Sequence, residues 1–220
     1  MACKLVVFDM AGTTVQDGEG VVNRALRTAL AGYGVTVTFD DVNEVMGLPK
    51  PDAIRRLIRG HEGIAVAKVY VDFENAMVKH YRTSPDVAAI DGAEAVFSAL
   101  RSAGIKVALD TGFARSIVDA IVERLGWAEL LDATVASDEV AHGRPQKDLV
   151  LEAMARTGIT DVQTVAKVGD TPSDIQEGQA AGCMWVIAVT EGSHTAEQLA
   201  PYLPTHIIPN INHVPALVTG

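Results

Sequence analysis

Four short segments hold residues whose types could do chemistry together. Asp9 is followed by Ala11, Gly12 and Thr13. Thr111 is followed by Gly112. Arg144 lies within Gly143-Arg-Pro145. Asp170 and Asp174 lie within Gly169-Asp-Thr-Pro-Ser-Asp174. Asp9 and Asp170 on neighbouring strands would form a hard oxygen site, suited to Mg²⁺ with several waters kept. Thr111 offers a hydroxyl, and the helix after Gly112 offers free N–H groups to an anion. Arg144 supplies a planar donor fork for a phosphoryl oxygen. A carboxylate facing a phosphoryl group, with a cation and donors around it, is the apparatus for phosphoryl transfer through an acyl phosphate. Each residue alone has a plainer reading, since an Asp at a strand end is commonly a turn or cap residue. All four segments together, each at a predicted strand end, point to one shared site.

Those strands are legible in the chain. Lys4-Leu-Val-Val-Phe-Asp9 is apolar without alternation, which suits a strand buried on both faces of a parallel sheet. Further strands are predicted at Ile105–Thr111, Ala133–Ala136, Thr164–Gly169, Met184–Val189 and His206–Ile208. Helical patterns alternate with them at Gly92–Ala103, Arg115–Leu125, Asp148–Arg156 and Ser173–Ala181. The alternation implies right-handed crossovers and a parallel sheet covered by helices. Ligands in such sheets sit at the carboxyl ends of the strands.

Between the first strand and Pro85 the pattern is helical: Val21–Leu30, Phe39–Met46, a helix opened by Pro51, and about Ile64–Tyr81. Val35-Thr-Val-Thr38 is the one strand-like run there. The expected class is α/β, a Rossmann-like core with a helical insertion after its first strand. The expected division is residues 1–14 and 87–220 for the core, 15–86 for the insertion.

Composition excludes several roles. The 220 residues carry 18 basic and 28 acidic side chains, a net of −10. Bulk charge of that sign argues against nucleic acid or an anionic membrane as partner. The longest apolar stretch, Ala180–Val189, is interrupted by Gly182 and falls far short of the ~18 residues of a membrane span. Two cysteines, Cys3 and Cys183, suit a reducing compartment, and a cytoplasmic enzyme is expected.

The chain resembles the haloacid dehalogenase superfamily through Asp9-Met-Ala-Gly-Thr-Thr14, Thr111, Arg144 and Gly169-Asp-Thr-Pro-Ser-Asp174. The resemblance covers nearly the whole sequence. It implies a mobile cap at the insertion, and Asp9 as the nucleophile that becomes an aspartyl-phosphate. It places Asp9, the Ala11 carbonyl and Asp170 on Mg²⁺, with Asp174 supporting the metal. It gives Thr111 and Arg144 the phosphoryl group, with Gly12, Thr13 and Gly112 around it.

Two departures select a branch. Most members carry a second Asp two positions after the nucleophile, where this chain has Ala11, and a Lys in the third motif, where it has Arg144. Both are similar to the phosphonatase branch, phosphonoacetaldehyde hydrolase, which cleaves a carbon–phosphorus bond. Met46-Gly-Leu-Pro-Lys50 resembles that branch's lysine loop, and Lys50 falls on the Schiff-base position. Met46 either faces the site or packs within the insertion. The branch's acid/base histidine corresponds to Ala53, and His61 and His80 lie elsewhere in the insertion. The resemblance also implies a homodimer paired through the cap. The expected substrate is a small phosphonate or phosphorylated metabolite. The alternatives are an ordinary phosphatase or phosphomutase, and a non-catalytic phosphate-binding module.

Overall fold

The computed structural model describes residues 2–219. Six strands form one sheet: β1 (Leu5–Asp9), β2 (Lys106–Asp110), β3 (Ala133–Val135), β4 (Val165–Gly169), β5 (Trp185–Val189) and β6 (His206–Ile208). Their order is β3-β2-β1-β4-β5-β6, all parallel. The order reverses between β1 and β4, which puts the crevice outside those two strands.

Every residue of β1 is buried. Val6 and Phe8 face one hydrophobic cluster and Leu5 and Val7 the other, so alternate residues serve two cores. Helices α1–α4 come between β1 and the rest of the sheet: α1 (Val21–Ala31), α2 (Phe39–Asn43), α3 (Lys50–Leu57) and α4 (Val66–Thr83). Helices α5 (Ala93–Ser102), α6 (Arg115–Leu125), α7 (Asp148–Thr157) and α8 (Pro172–Ala181) follow, and short helical turns close the chain. Side chains of α1 and α4–α6 lie in the first cluster, and those of α7 and α8 in the second.

The first passage into the insertion and the return from it run side by side. Gln16 N donates to the Ala88 carbonyl at 3.0 Å, and Ile90 N to that of Thr14 at 2.8 Å. Two expectations shift. Val35–Thr38 is not a strand: Val35 is buried, while the Thr38 side chain caps α2 by accepting from Asp41 N. β-branched residues there serve a core contact and a cap rather than a ladder. The last helix of the insertion begins at Val66 and runs to Thr83, displaced about one half-turn from the pattern. Trp127, Cys3 and Cys183 are buried. No helix among the described residues is long and apolar enough to cross a membrane.

Candidate active site

The strand register assembles the site. Asp9 ends β1 and stands opposite Asp110, the last residue of β2. Phe8 stands opposite Val168 in β4, so Asp170 emerges one residue past the strand on the other side of Asp9. Thr111 follows β2 and is buried, its Oγ1 accepting from Phe113 N at 3.2 Å. Asp174 lies in the first turn of α8. It completes a capping box with Thr171, whose N–H donates to Oδ2 at 3.1 Å and whose hydroxyl donates at 2.5 Å.

Arg144 is 2% exposed and fully engaged by protein. Its Nη1 meets Asp9 at 2.5 Å and Asp174 at 3.0 Å, and its Nε donates to Glu177 at 2.9 Å. Its Nη2 donates to the Asp110 carbonyl at 3.1 Å and pairs with the Asp110 carboxylate. Lys167 joins from β4, with Nζ 2.5 Å from Asp110, 3.1 Å from Asp174 and 3.3 Å from Glu177. Two buried cations therefore face four buried carboxylates. Burial alone would strip both cations of charge, but the carboxylates outweigh it and raise both pKa values. Glu177 takes up part of the imbalance, pushed to about 8 by its own burial and then by Asp110.

Sequence reasoning missed Asp110, Lys167 and Glu177. Lys167 carries its own signal: a lysine in the middle of a buried parallel strand is rare unless paired. Asp110 shows in the sequence only as the strand residue before Thr111. Glu177 sits on a helix face with no such mark.

Asp9, Asp110 and Asp174 are buried with ligand atoms within 4.8 Å of one another, close enough to share a metal ion. Arg144 and Lys167 already bridge those three. Asp170 stands outside the triad. Its Oδ1 accepts from Thr13 at 3.0 Å, and its Oδ2 from the Ser193 N–H and hydroxyl, each at 2.7 Å. Asp170 also lies in a glycine cradle. A Cβ on Gly12 (φ +89°) would come 2.6 Å from Oδ2, and one on Gly192 2.3 Å. Burial, then the neighbouring carboxylates, raise Asp170 and push Asp9 up to about 7. Both carboxylates are thus short of compensating charge, which a hard cation held by their oxygens would supply. Asp174 shares the triad with Asp9 and also pairs with Arg144, Lys167 and Thr171.

The lysine loop is the insertion's approach to this centre. Gly47 has φ +81°, and a Cβ there would fall 2.3 Å from Thr171 Oγ1. A Cβ on Gly112 would fall 2.6 Å from the Leu48 carbonyl. Two glycines therefore let the loop lie against the sheet edge. Met46 is buried, lines the adjoining cavity and packs in the core cluster.

Lys50 is the first residue of α3 and is only 3% exposed. Its ammonium stands 5.3 Å from the centre of the Phe113 ring, with the Leu48 carbonyl 3.5 Å away. Burial, opposed by Asp9, brings its pKa down to about 8. The helix N-terminus disfavours a cation in the same direction. Ala53 is buried on the same helix, while His61 is exposed and His80 packs edge-on to Tyr81.

A family model described as haloacid dehalogenase-like hydrolase matches residues 3–182. The chain belongs to the haloacid dehalogenase-like hydrolases. A phosphonoacetaldehyde hydrolase of Bacillus cereus is 31% identical over 214 residues, covering 88% of this chain and 78% of its own. A phosphonoacetaldehyde hydrolase-like protein from Oleispira antarctica superposes with TM-score 0.87 at 22% identity, over 100% of this chain and 92% of its own. A phosphoglycolate phosphatase, so named, from Lactobacillus delbrueckii gives TM-score 0.83 at 20% identity over all of both chains. The two structural likenesses bear on the fold of this hydrolase alone.

Proposed function

We propose that this hydrolase cleaves the carbon–phosphorus bond of a small phosphonate bearing a carbonyl group, through a Schiff base on Lys50 and a phosphoryl group carried by Asp9. The observation that carries the reading is Lys50 itself: a lysine buried beside the nucleophile, over an aromatic ring, with its pKa held near 8. Ala11 supports it, because it leaves the usual position of the leaving-group acid without a proton donor.

The neutral Lys50 amine attacks the carbonyl carbon, water leaves, and the resulting imine is protonated. The Asp9 carboxylate then attacks phosphorus in line with the C–P bond. The bonding pair moves toward the iminium, so the leaving group departs as an enamine rather than a bare carbanion. Water hydrolyses the acyl phosphate on Asp9. Protonation of the enamine and hydrolysis of the imine free Lys50.

Arg144 holds Asp9 at 2.5 Å and orients it, while Asp110, itself paired with Lys167, fixes Arg144 from behind. Thr111 lines the phosphoryl position with its hydroxyl, and Gly12, Thr13 and Gly112 supply close-approaching backbone. Asp9, the Ala11 carbonyl and Asp170 would hold Mg²⁺, which when bound neutralises phosphoryl charge and lets Asp9 stay ionised near phosphorus. We propose that residues 15–86 act as a cap that opens for substrate, since Lys50 is buried when the loop lies on Gly112.

The test is phosphate release from phosphonoacetaldehyde in the presence of Mg²⁺, for wild type and Lys50→Arg. Wild-type turnover with none in Lys50→Arg is expected, because arginine forms no imine. Equal turnover by both proteins would remove the Schiff base from the mechanism.

A further inference from the structure

Asp170 is fixed by a residue outside the four segments that carry the chemistry. Ser193, in the loop after β5, donates to Asp170 Oδ2 through both its backbone N–H and its hydroxyl, each at 2.7 Å. Gly192 permits this approach, since a Cβ there would fall 2.3 Å from the same oxygen. Thr13 donates to Oδ1 at 3.0 Å. A carboxylate oxygen accepts about two donors. Oδ2 is therefore filled, and Oδ1 keeps an open position for a cation. With Asp170 ionised, the single hydrogen of the Ser193 hydroxyl goes to the carboxylate. The contact of that hydroxyl with His194 Nδ1 at 2.9 Å must then be donated by the buried histidine. The donors run one way, from His194 through Ser193 to Asp170.

The same loop is tied to the insertion. Asn43, the last residue of α2, donates from Nδ2 to the Ser193 carbonyl at 3.2 Å. Further along, the Met46 carbonyl accepts from Ser173 Oγ at 3.4 Å, and Lys50 follows at the start of α3. One short segment, Asn43 to Lys50, thus carries both a contact to the loop that fixes Asp170 and the buried amine. A cavity of about 370 Å³ runs beside it, bordered by Asn43 and Met46 from the insertion and by Ala11, Gly12, Asp170 and Ser193 from the core. The Asn43–Ser193 bond stands at the edge of that space, where movement of the insertion would break it.

We propose that Ser193 is a positioning residue for the metal carboxylate Asp170, and that Asn43 makes its placement depend on the insertion. The proposal deepens the proposed function and rests on its assignment of Mg²⁺ to Asp170. Seating the lysine loop completes the Asn43–Ser193 bond, fixes the loop after β5 and holds Asp170 with Oδ1 open. Linkage then requires that Mg²⁺ in turn favour the seated loop.

The test is Mg²⁺ binding by calorimetry, without substrate, for the full chain and its variants. Asp170→Asn is expected to lose the site. Ser193→Ala is expected to weaken Mg²⁺ about 10–100-fold, the usual scale for partners that orient a metal-binding carboxylate. Ser193→Thr keeps the hydroxyl and is expected to restore binding. Asn43→Ala removes a bond between neutral groups and is expected to weaken Mg²⁺ by roughly two- to tenfold. Amide exchange across Asn43–Lys50 reads the reverse direction: Mg²⁺ is expected to slow it in wild type and to leave it unchanged in Asn43→Ala. Binding lost in Asp170→Asn but as tight as wild type in Ser193→Ala would overturn the positioning role alone. An equal effect of Mg²⁺ on exchange in wild type and Asn43→Ala would overturn the coupling. Equal Mg²⁺ binding by wild type and Asp170→Asn would overturn the metal assignment beneath the proposal, and the proposal with it.

Discussion

Lys50 stands between two opposing effects: burial removes its proton, and Asp9 holds it on. With a pKa of about 8, roughly one molecule in ten has a free amine at pH 7, against about one in three thousand for an ordinary lysine. Imine formation needs that free amine, so its rate is expected to rise about tenfold per pH unit and level off above about 8. Single-turnover kinetics of adduct formation across pH measure this, and a rise centred above pH 10 would contradict it. Asp9→Asn is expected to cut turnover by roughly four to six orders of magnitude, the scale of nucleophile deletions. The fold should survive, because Arg144 keeps Asp110, Asp174 and Glu177. Circular dichroism beside the assay separates the two outcomes. At this scale the sequence was informative wherever a polar residue followed a strand. It was silent on Asp110 because register, not type, brings that carboxylate to Asp9. The ion pairs that consume the donors of Arg144 were equally invisible, since they depend on Lys167 and Glu177 arriving from two other elements.

Two contacts between elements carry the site. The first is the seat of the lysine loop on the sheet edge. Gly112→Ala would drive a methyl group into the Leu48 carbonyl, only 2.6 Å from the new atom. The loop must then lift, and phosphonate turnover is expected to fall about 10²-fold with a small change in melting temperature. Unchanged kinetics would mean that the loop does not need this seat. The second is the seam between β4 and α8, where Lys167 neutralises Asp110 and Asp174. Lys167→Ala leaves buried carboxylates uncompensated and is expected to cost about 3–5 kcal/mol in chemical denaturation. Elements themselves were largely legible, because unbroken apolar runs and 3.6-residue patterns follow from burial. Val35–Thr38 misled for the same reason that it looked clear: alternating β-branched residues suit a strand, yet a core contact at Val35 and a cap at Thr38 use the same types.

Taken as a whole molecule, the hydrolase keeps its net charge of −10 partly as carboxylates concentrated at one sheet edge. That concentration is a liability without a cation. The folded pKa values of Asp9, about 7, and Glu177, about 8, lie above their ordinary values, so the folded state binds protons more tightly. Stability from these two groups is therefore greatest at low pH and falls as pH rises from about 4 through 8. Mg²⁺ should oppose that fall at Asp9, so it is expected to raise the melting temperature more at pH 8 than at pH 5. Calorimetry at both pH values decides this, and an equal shift at both would contradict it. The cap proposal has its own check. Asn43 Nδ2 donates to the Ser193 carbonyl at 3.2 Å across the crevice. Cross-linking Asn43→Cys to Ser193→Cys is expected to stop turnover until reductant is added. The most direct test of the central claim is borohydride reduction during turnover of phosphonoacetaldehyde, with the modified residue located by peptide mass mapping. The account predicts a two-carbon adduct on Lys50 and none in Lys50→Arg; full turnover with no trapped adduct on Lys50 would contradict it.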